Sequence, residues 1–266
     1  MHRVIVPASR RVRLREVWTS FPVGRMLGMR DMKVKYKQSA LGPLWLILQP
    51  LGMLAAVSVA FSAVTNVSTG SVPYVVFAIV GLTVWTYFQM TLTAATAALP
   101  MNQTVVRRSP CPRVALVTGT LIATLPPLVV MLTISFVAAV ATGGLPIQVL
   151  LLPAMIAWLV VFMWGTTLFV AALAGRFRDM VAFAPLIIQG GIFLTPVGYP
   201  LNQSTAISKI IALNPVSGII EAWRWSMLAM APDIFAVVVA GCWTVGLVLL
   251  GWYVFGRMET RFADYV

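Results

Sequence analysis

Residues 30–50, RDMKVKYKQSALGPLWLILQP, place four cations in their first eight positions and turn apolar after Gly42–Pro43. A charged side chain is costly inside hydrocarbon, so this join marks a boundary between water and a membrane. The composition agrees. Of 266 residues, 60% are hydrophobic and 10% charged, where a soluble domain carries roughly 25% charged residues. With so little polar surface the chain reads as an integral membrane protein. The net charge of +12 has to be read through its distribution. Ten of the nineteen Lys and Arg precede residue 38, and nearly all the others stand at the ends of apolar runs. That pattern describes membrane topology, and no nucleic-acid partner is expected.

A membrane span needs about 20 mostly apolar residues. Six stretches qualify, at about 43–65, 74–98, 114–141, 148–174, 181–198 and 233–255. The expected fold is therefore all-α, with six transmembrane helices in one domain over residues 1–266. Residues 1–42 form a cytoplasmic and interfacial N-terminus, 43–255 the spans and 256–266 a cytoplasmic tail. Lys/Arg bias sets the orientation. With both termini cytoplasmic, ten cations precede span 1 and Arg107, Arg108 and Arg113 fall between spans 2 and 3. Arg176 and Arg178 follow span 4, and Arg257 and Arg261 follow span 6. Only Lys209 and Arg224 are then left outside. The first 40 residues hold no apolar run of the ~7–15 residues that a signal-peptide core needs, so no cleavable leader is expected.

Before span 1 the sequence predicts an amphipathic helix at the interface, with Ser20 as its cap and Pro22 in its first turn. Trp18, Phe21, Val23, Met26, Leu27, Met29 and Met32 supply its apolar surface, interleaved with Arg25, Arg30, Lys33, Lys35 and Lys37. Such helices favour anionic lipid. Between spans 5 and 6, residues 199–232 are long yet hardly polar. STAISKIIAL and NPVSGIIEAWRWSMLA have helical character, and Asn214–Pro215 is a helix-start signal. Two short re-entrant helices on the outer side are expected there, covered by protein or a wet cavity.

The chemistry is sparse. The seven acids, Glu16, Asp31, Asp179, Glu221, Asp233, Glu259 and Asp264, all avoid the interior of the spans, which argues against an ion-coupled carrier. His2 is the sole histidine, so neither a metal site nor a catalytic residue is expected. Cys111 and Cys242 occupy different kinds of segment, a basic loop and an apolar run, which speaks against a disulfide framework. No lysine follows a glycine as a phosphate-binding loop requires, so any ATP and magnesium must be bound by a separate subunit, and this chain needs no cofactor.

Three features stay open on the residues alone. The loop 99–113, with Asn102, Arg107, Arg108 and Arg113, is either an ordinary positive-inside loop or a stiff docking surface. Trp45, Tyr74, Trp85, Tyr87, Phe88, Phe193 and Tyr199 form interfacial belts or face a channel. Glu221 and Arg224 are spaced i, i+3 and can pair, either as a solvated or headgroup-facing pair or as part of a gate.

Taken in order, RDMKVKYKQSALGPLWLILQPL (30–51), Asn102 with RRSPCPR (107–113), FRDM (177–180), FLTPVGYP (193–200), LNPVSGIIEAWR (213–224) and FGRMETRFADYV (255–266) resemble the ABC type-2 permeases that export polysaccharides and polyol phosphates, such as O-antigen and teichoic-acid exporters. The likeness runs from about residue 20 to the end. It implies the transmembrane subunit of an ATP-driven exporter in a bacterial plasma membrane. Such a permease pairs with a second copy of itself and with two ABC ATP-binding subunits, and it moves a lipid-linked polysaccharide between the copies. It further implies that Asn102, Arg107, Arg108 and Arg113 belong to an ATPase-coupling element. Arg30, Asp31, Lys33, Lys35, Tyr36 and Lys37 would form a cytoplasmic entrance near the substrate headgroup. Trp45, Phe193 and Tyr199 become channel-lining candidates, and Asn214, Pro215, Glu221 and Arg224 belong to gate helices. Cys111 departs from the family pattern, which more often has an aromatic after the basic pair. A drug or lipid exporter of the same superfamily is the alternative. A membrane-embedded transferase fits less well, because the acids are scattered.

Overall fold

The computed structural model describes residues 14–37, 39–64, 69–102, 112–177, 179–201 and 206–258. Every regular element among them is helical, as expected where hydrocarbon leaves backbone groups only each other to bond with. In chain order these are α1 (Leu14–Lys37), α2 (Trp45–Val64), α3 (Tyr74–Ala98), α4 (Val114–Ala123), α5 (Leu125–Ala141), α6 (Leu152–Arg176), α7 (Met180–Gly191), α8 (Ala206–Ala212), α9 (Pro215–Leu228) and α10 (Ile234–Met258). Five stretches are long and apolar enough to cross a membrane: Gly42–Val59, Tyr74–Ala98, Val114–Ala141, Ile147–Arg176 and Ile234–Met258.

The proposed sixth is shorter than its sequence reading. α7 and the following 3-10 turn make an apolar rod over Met180–Leu194, about 22 Å long at ~1.5 Å per residue, against a hydrocarbon slab of ~30 Å. Pro196 explains the stop, because the residue before a proline is driven out of the helical region. Thr195 accordingly has φ −129 and ψ 133. Prolines also divide the 114–141 span at Thr124. Pro126 and Pro127 have no amide to give to the carbonyls one turn back. The Thr124 hydroxyl stays engaged at this break, donating to the Thr120 carbonyl at 2.9 Å and pairing with the Thr91 hydroxyl of α3 at 2.7 Å.

The N-terminal helix differs from expectation too. α1 is helical from Leu14 to Lys37, so Ser20 and Pro22 lie inside it and do not start it. A Cβ on Gly24 would stand 2.9 Å from the Ala115 carbonyl, and one on Gly28 would stand 2.5 Å from that of Gly119. α1 therefore lies directly on the backbone of α4, with Leu27 buried between them and Val23 half-buried. Phe21, Met26 and Met29 remain on the outer face. After Lys37 the chain turns at Gly42, whose φ of +49 suits glycine. Pro43 sits in the 3-10 turn Gly42–Leu44 that leads into α2.

α3 is the central helix. Buried residues make up 72% of its most apolar stretch, against 11% for Gly42–Val59. One core gathers Trp85, Leu159, Phe162 and Trp223, and a second at the α1 end gathers Leu99, Val114, Leu168 and Phe255. α6 and α10 touch backbone to backbone, since a Cβ on Gly165 would lie 2.6 Å from the Val248 nitrogen. Gly165→Val should therefore lower stability by about 1–3 kcal/mol, as overpacking does. Gly246→Ala, where nothing lies within 4 Å, should be neutral or stabilising by a few tenths to ~1 kcal/mol. Thermal unfolding of the detergent-solubilised protein measures both.

Candidate functional site: a polar groove and its two ends

A groove of about 600 Å³ opens between α2, α3 and α7. Its polar lining comes from Gln49 on α2, Thr86, Gln89 and Thr93 on α3, Gln189 on α7, and Lys35 at the end of α1. On α3 it extends from Ala97 to Thr86, about 16 Å at ~1.5 Å per residue, which is from the α1 end to the middle of the helix. Beyond Thr86 the rings close in. Trp85 packs beside Gly191 and lies 5.4 Å from the Phe88 ring. Among the described residues nothing pairs with the Gln49, Gln89 or Gln189 amides. Gln49 and Gln189 are exposed and Gln89 is half-buried, so the groove presents its amides to whatever fills it.

At the α1 end the basic segment divides. Lys35 stands exposed at the edge of the groove, where partial burial lowers its pKa, and it lies 5.6 Å over the ring of Tyr36. Burial raises the Tyr36 phenol. Arg30 donates to Asp31 at 2.8 Å and to the Asn102 side-chain carbonyl at 3.2 Å, while the Asn102 amide donates to the Ala98 carbonyl at 2.9 Å. α1 is thereby tied to the end of α3. Lys33 and Lys37, with Arg25 and Met26, line a recess of about 770 Å³ on the outward face of α1. Arg113 sits half-buried at the cap of α4. Arg107 and Arg108 lie outside the described residues.

The opposite end of α3 is closed by a buried cation. Arg224 on α9 is 1% exposed, although the plainer sequence reading made it a solvated or headgroup-facing partner of Glu221. Its guanidinium lies 3.5 Å over the Phe77 ring, donates to the Val197 carbonyl at 2.7 Å and reaches Glu221 at 3.3 Å. Gly81 makes the room, since a Cβ there would stand 2.8 Å from an Arg224 nitrogen. Burial lowers the Arg224 pKa to about 10, with Glu221 acting the other way, so the group stays cationic at neutral pH. Burial raises the Glu221 carboxyl. Glu221 also accepts from the Asp233 backbone amide at 3.4 Å. Asn214 caps α9 by accepting from the Val216 amide at 3.0 Å, and Pro215 takes the first turn. The Asn214 amide donates to the Leu194 carbonyl at 3.1 Å and to the Thr195 hydroxyl at 2.9 Å. Tyr74 donates to the Gly198 carbonyl at 3.1 Å. Residues 194–198 are thus fastened to α3 and α9 at four carbonyl or hydroxyl oxygens.

Trp45 and Phe193 are exposed, and Tyr199 donates its hydroxyl to the Phe193 carbonyl at 3.0 Å. None of these aromatics lines the groove described above. Nothing ionisable marks the groove's glutamines in the sequence of the spans. The available signal was the spacing of Thr86, Gln89, Thr93 and Ala97, one polar and small stripe at i, i+3, i+7 and i+11.

Removing Arg224 would leave Glu221 buried without its cation and Val197 without its donor. Arg224→Leu should therefore cost about 3–5 kcal/mol. Arg224→Lys, which keeps the charge but loses the planar stacking, should fall between that variant and wild type. Asn214→Ala should cost about 1–2 kcal/mol through the lost cap. Membrane yield and thermal unfolding in detergent measure all three.

The family profile of the ABC-2 type transporter matches residues 24–228. The chain is 27% identical over 202 residues to the O-antigen export system permease protein RfbA of Myxococcus xanthus, covering 74% of this chain and 77% of that one. It is 26% identical over 247 residues to the RfbA of Klebsiella pneumoniae, covering 88% and 91%. Since the matched region runs from α1, where it docks on α4, to the last turn of α9, the chain belongs to the ABC-2 type transporter family.

Proposed function

We propose that this chain is the transmembrane subunit of an ATP-driven exporter that carries a lipid-linked polysaccharide across a bacterial plasma membrane. The observation that carries the reading is the groove itself, a lining of amides and hydroxyls reaching halfway along the central helix of an ABC-2 transporter. Relatives named as O-antigen export permeases, aligned over most of their length, supply the substrate class. The cations of residues 1–37, 107–113 and 176–178 support a cytoplasmic position for the α1 end.

In this reading a second copy faces α2 and α7, whose outward residues Leu48, Leu51, Leu186 and Ile187 are exposed. The groove, open on that side, becomes half of a shared path. α7 with Ile192–Leu194 completes a sixth span, and α8 and α9 are the re-entrant gate helices. Two ATP-binding subunits dock on the cytoplasmic loop carrying Arg107, Arg108 and Arg113. Arg30 and Asn102 join that loop to α1, so that motion of the loop reaches the mouth of the groove. This chain performs no hydrolysis itself and holds no nucleotide.

Deleting the gene should abolish surface polysaccharide and leave lipid-linked glycan on the cytoplasmic side, as surface staining and lipid extraction report. Unchanged surface glycan with altered drug sensitivity would overturn the reading in favour of a drug exporter. The Arg107→Glu/Arg108→Glu variant should co-purify with less ATP-binding subunit and lose at least half of the complex's ATPase activity. Undiminished co-purification would remove the docking role.

A further inference from the structure

We infer that the span Val114–Ala141 is hinged at Thr124, so that α1 and α4 swing as one body against α5. The hydroxyls of Tyr87, Thr91 and Thr124 form the catch that holds the present position. This device depends on the fold alone, whatever the cargo.

Pro126 and Pro127 stand four residues after Ile122 and Ala123, so two successive carbonyls lose their helical donors. Sharp bends in helices concentrate at such places. Thr124 itself departs from helical backbone, with φ −98 and ψ −1. The two sides of the break attach to different neighbours. Val114, Leu116 and Val117 of α4 belong to the core at the α1 end, while Leu128 and Met131 of α5 belong to the other. α5 is tied to α3 by the Thr83–Ser135 hydroxyl pair at 2.6 Å.

α4 is instead gripped by α1. Besides its approach to the Gly119 carbonyl, a Cβ on Gly28 would stand 3.1 Å from the Ile122 Cβ and 3.3 Å from the Ala123 nitrogen. With Gly24 against Ala115, the grip runs from the first turn of α4 to the residue before the break. Helices in such close contact move together, since packed interfaces are stiff. From Gly28, α1 continues to Lys35 at the edge of the groove, so a swing about Thr124 is felt at the groove's mouth. At ~1.5 Å per residue α4 is about 15 Å long. A swing of ~20°, the size of a proline bend, carries its far end about 5 Å.

The catch is on α3. Thr91 is fully buried, and its hydroxyl pairs with that of Thr124 at 2.7 Å. Thr124 donates to the Thr120 carbonyl at 2.9 Å, so Thr91 is the donor of the pair. One turn earlier on α3 the Tyr87 hydroxyl is buried, within reach of both threonines and unpaired in this arrangement. An unpaired hydroxyl in an apolar core is costly. Here it offers Thr91 a second partner once Thr124 moves away. The three hydroxyls therefore have two pairings, one for each position of α4.

Dipolar EPR on the full chain in phosphatidylcholine nanodiscs tests the hinge, with Cys111→Ser/Cys242→Ser as background and labelled chain diluted in unlabelled. One label pair, Phe21→Cys/Val137→Cys, reports α1 against α5. A second, Val137→Cys/Leu249→Cys, reports α5 against α10. All three positions are exposed. The first pair is expected to spread over about 5 Å or split into two distances, and the second to give one narrow distance. Pro126→Ala/Pro127→Ala, which restores the helical donors, should narrow the first pair to the width of the second. Thr91→Val, which removes the catch and keeps the shape, should change the ratio of the two positions at least twofold. A first pair as narrow as the second in wild type overturns the hinge. So does a spread that survives in the proline variant, because α1 then moves on α4 alone. Unchanged populations in Thr91→Val overturn the catch. Should the double proline variant fail to insert, Pro127→Ala replaces it and must at least halve the spread.

Discussion

Hydrocarbon offers no partner to a peptide amide or a carbonyl, and this constraint orders the whole molecule. It makes every regular element among the described residues a helix. It also explains where hydroxyls go. Thr83, Thr118, Thr124, Thr166 and Thr244 each donate to the carbonyl four residues back in their helix. Thr83 and Ser135 further pair with each other across α3 and α5 at 2.6 Å. Small polar side chains can thus be buried in spans at little cost. The larger amides of Gln49, Gln89 and Gln189 stand instead along one open groove, with Gln49 and Gln189 exposed.

Arg224 shows the same constraint under greater load. A guanidinium taken out of water needs its charge and its donors satisfied together. Glu221 supplies the charge, Val197 a carbonyl and Phe77 a ring face. The outcome is structural as well as electrostatic. The loop after α7 cannot leave α9 without exposing Arg224 to apolar surroundings, and it cannot leave α3 without freeing Tyr74. Asn214 adds a second fastening on the other side of the loop. The end of the bundle opposite α1 is therefore held by polar bonds that exist only while the loop stays in place.

Much of this architecture was readable from residue order, because long apolar runs and their flanking cations are dictated by the membrane. The Asn214–Pro215 helix start was equally plain, being local chemistry. What escaped the sequence depends on tertiary contact. Ser20 and Pro22 read as a helix start, yet both lie within α1, which Gly24 and Gly28 bring onto the backbone of α4. Pro196 shortened the apolar rod of α7, a local effect that a count of apolar residues passes over. Arg224 read as a surface group because nothing in its neighbourhood announces that Gly81, more than 140 residues earlier, leaves a space for it. The groove needed three helices to be placed before its glutamines could be seen together.

The two walls of that groove are held very differently. α3 is buried along most of its length and pinned at both tips, by Tyr74 to Gly198 and by Asn102 to Arg30. α2 has little of its surface inside the protein, and α7 leaves Phe183, Leu186 and Ile187 uncovered. A helix surrounded by partners can move only if they move with it, since packed cores are stiff. The freedom to widen or close the groove therefore lies with α2 and α7. α2 follows directly on α1 through the Gly42 turn, and α7 leads directly into the loop that Arg224 holds. A shift of α1 reaches one wall, and release of the loop frees the other. The groove can then change shape while α3, its common third side, stays where it is.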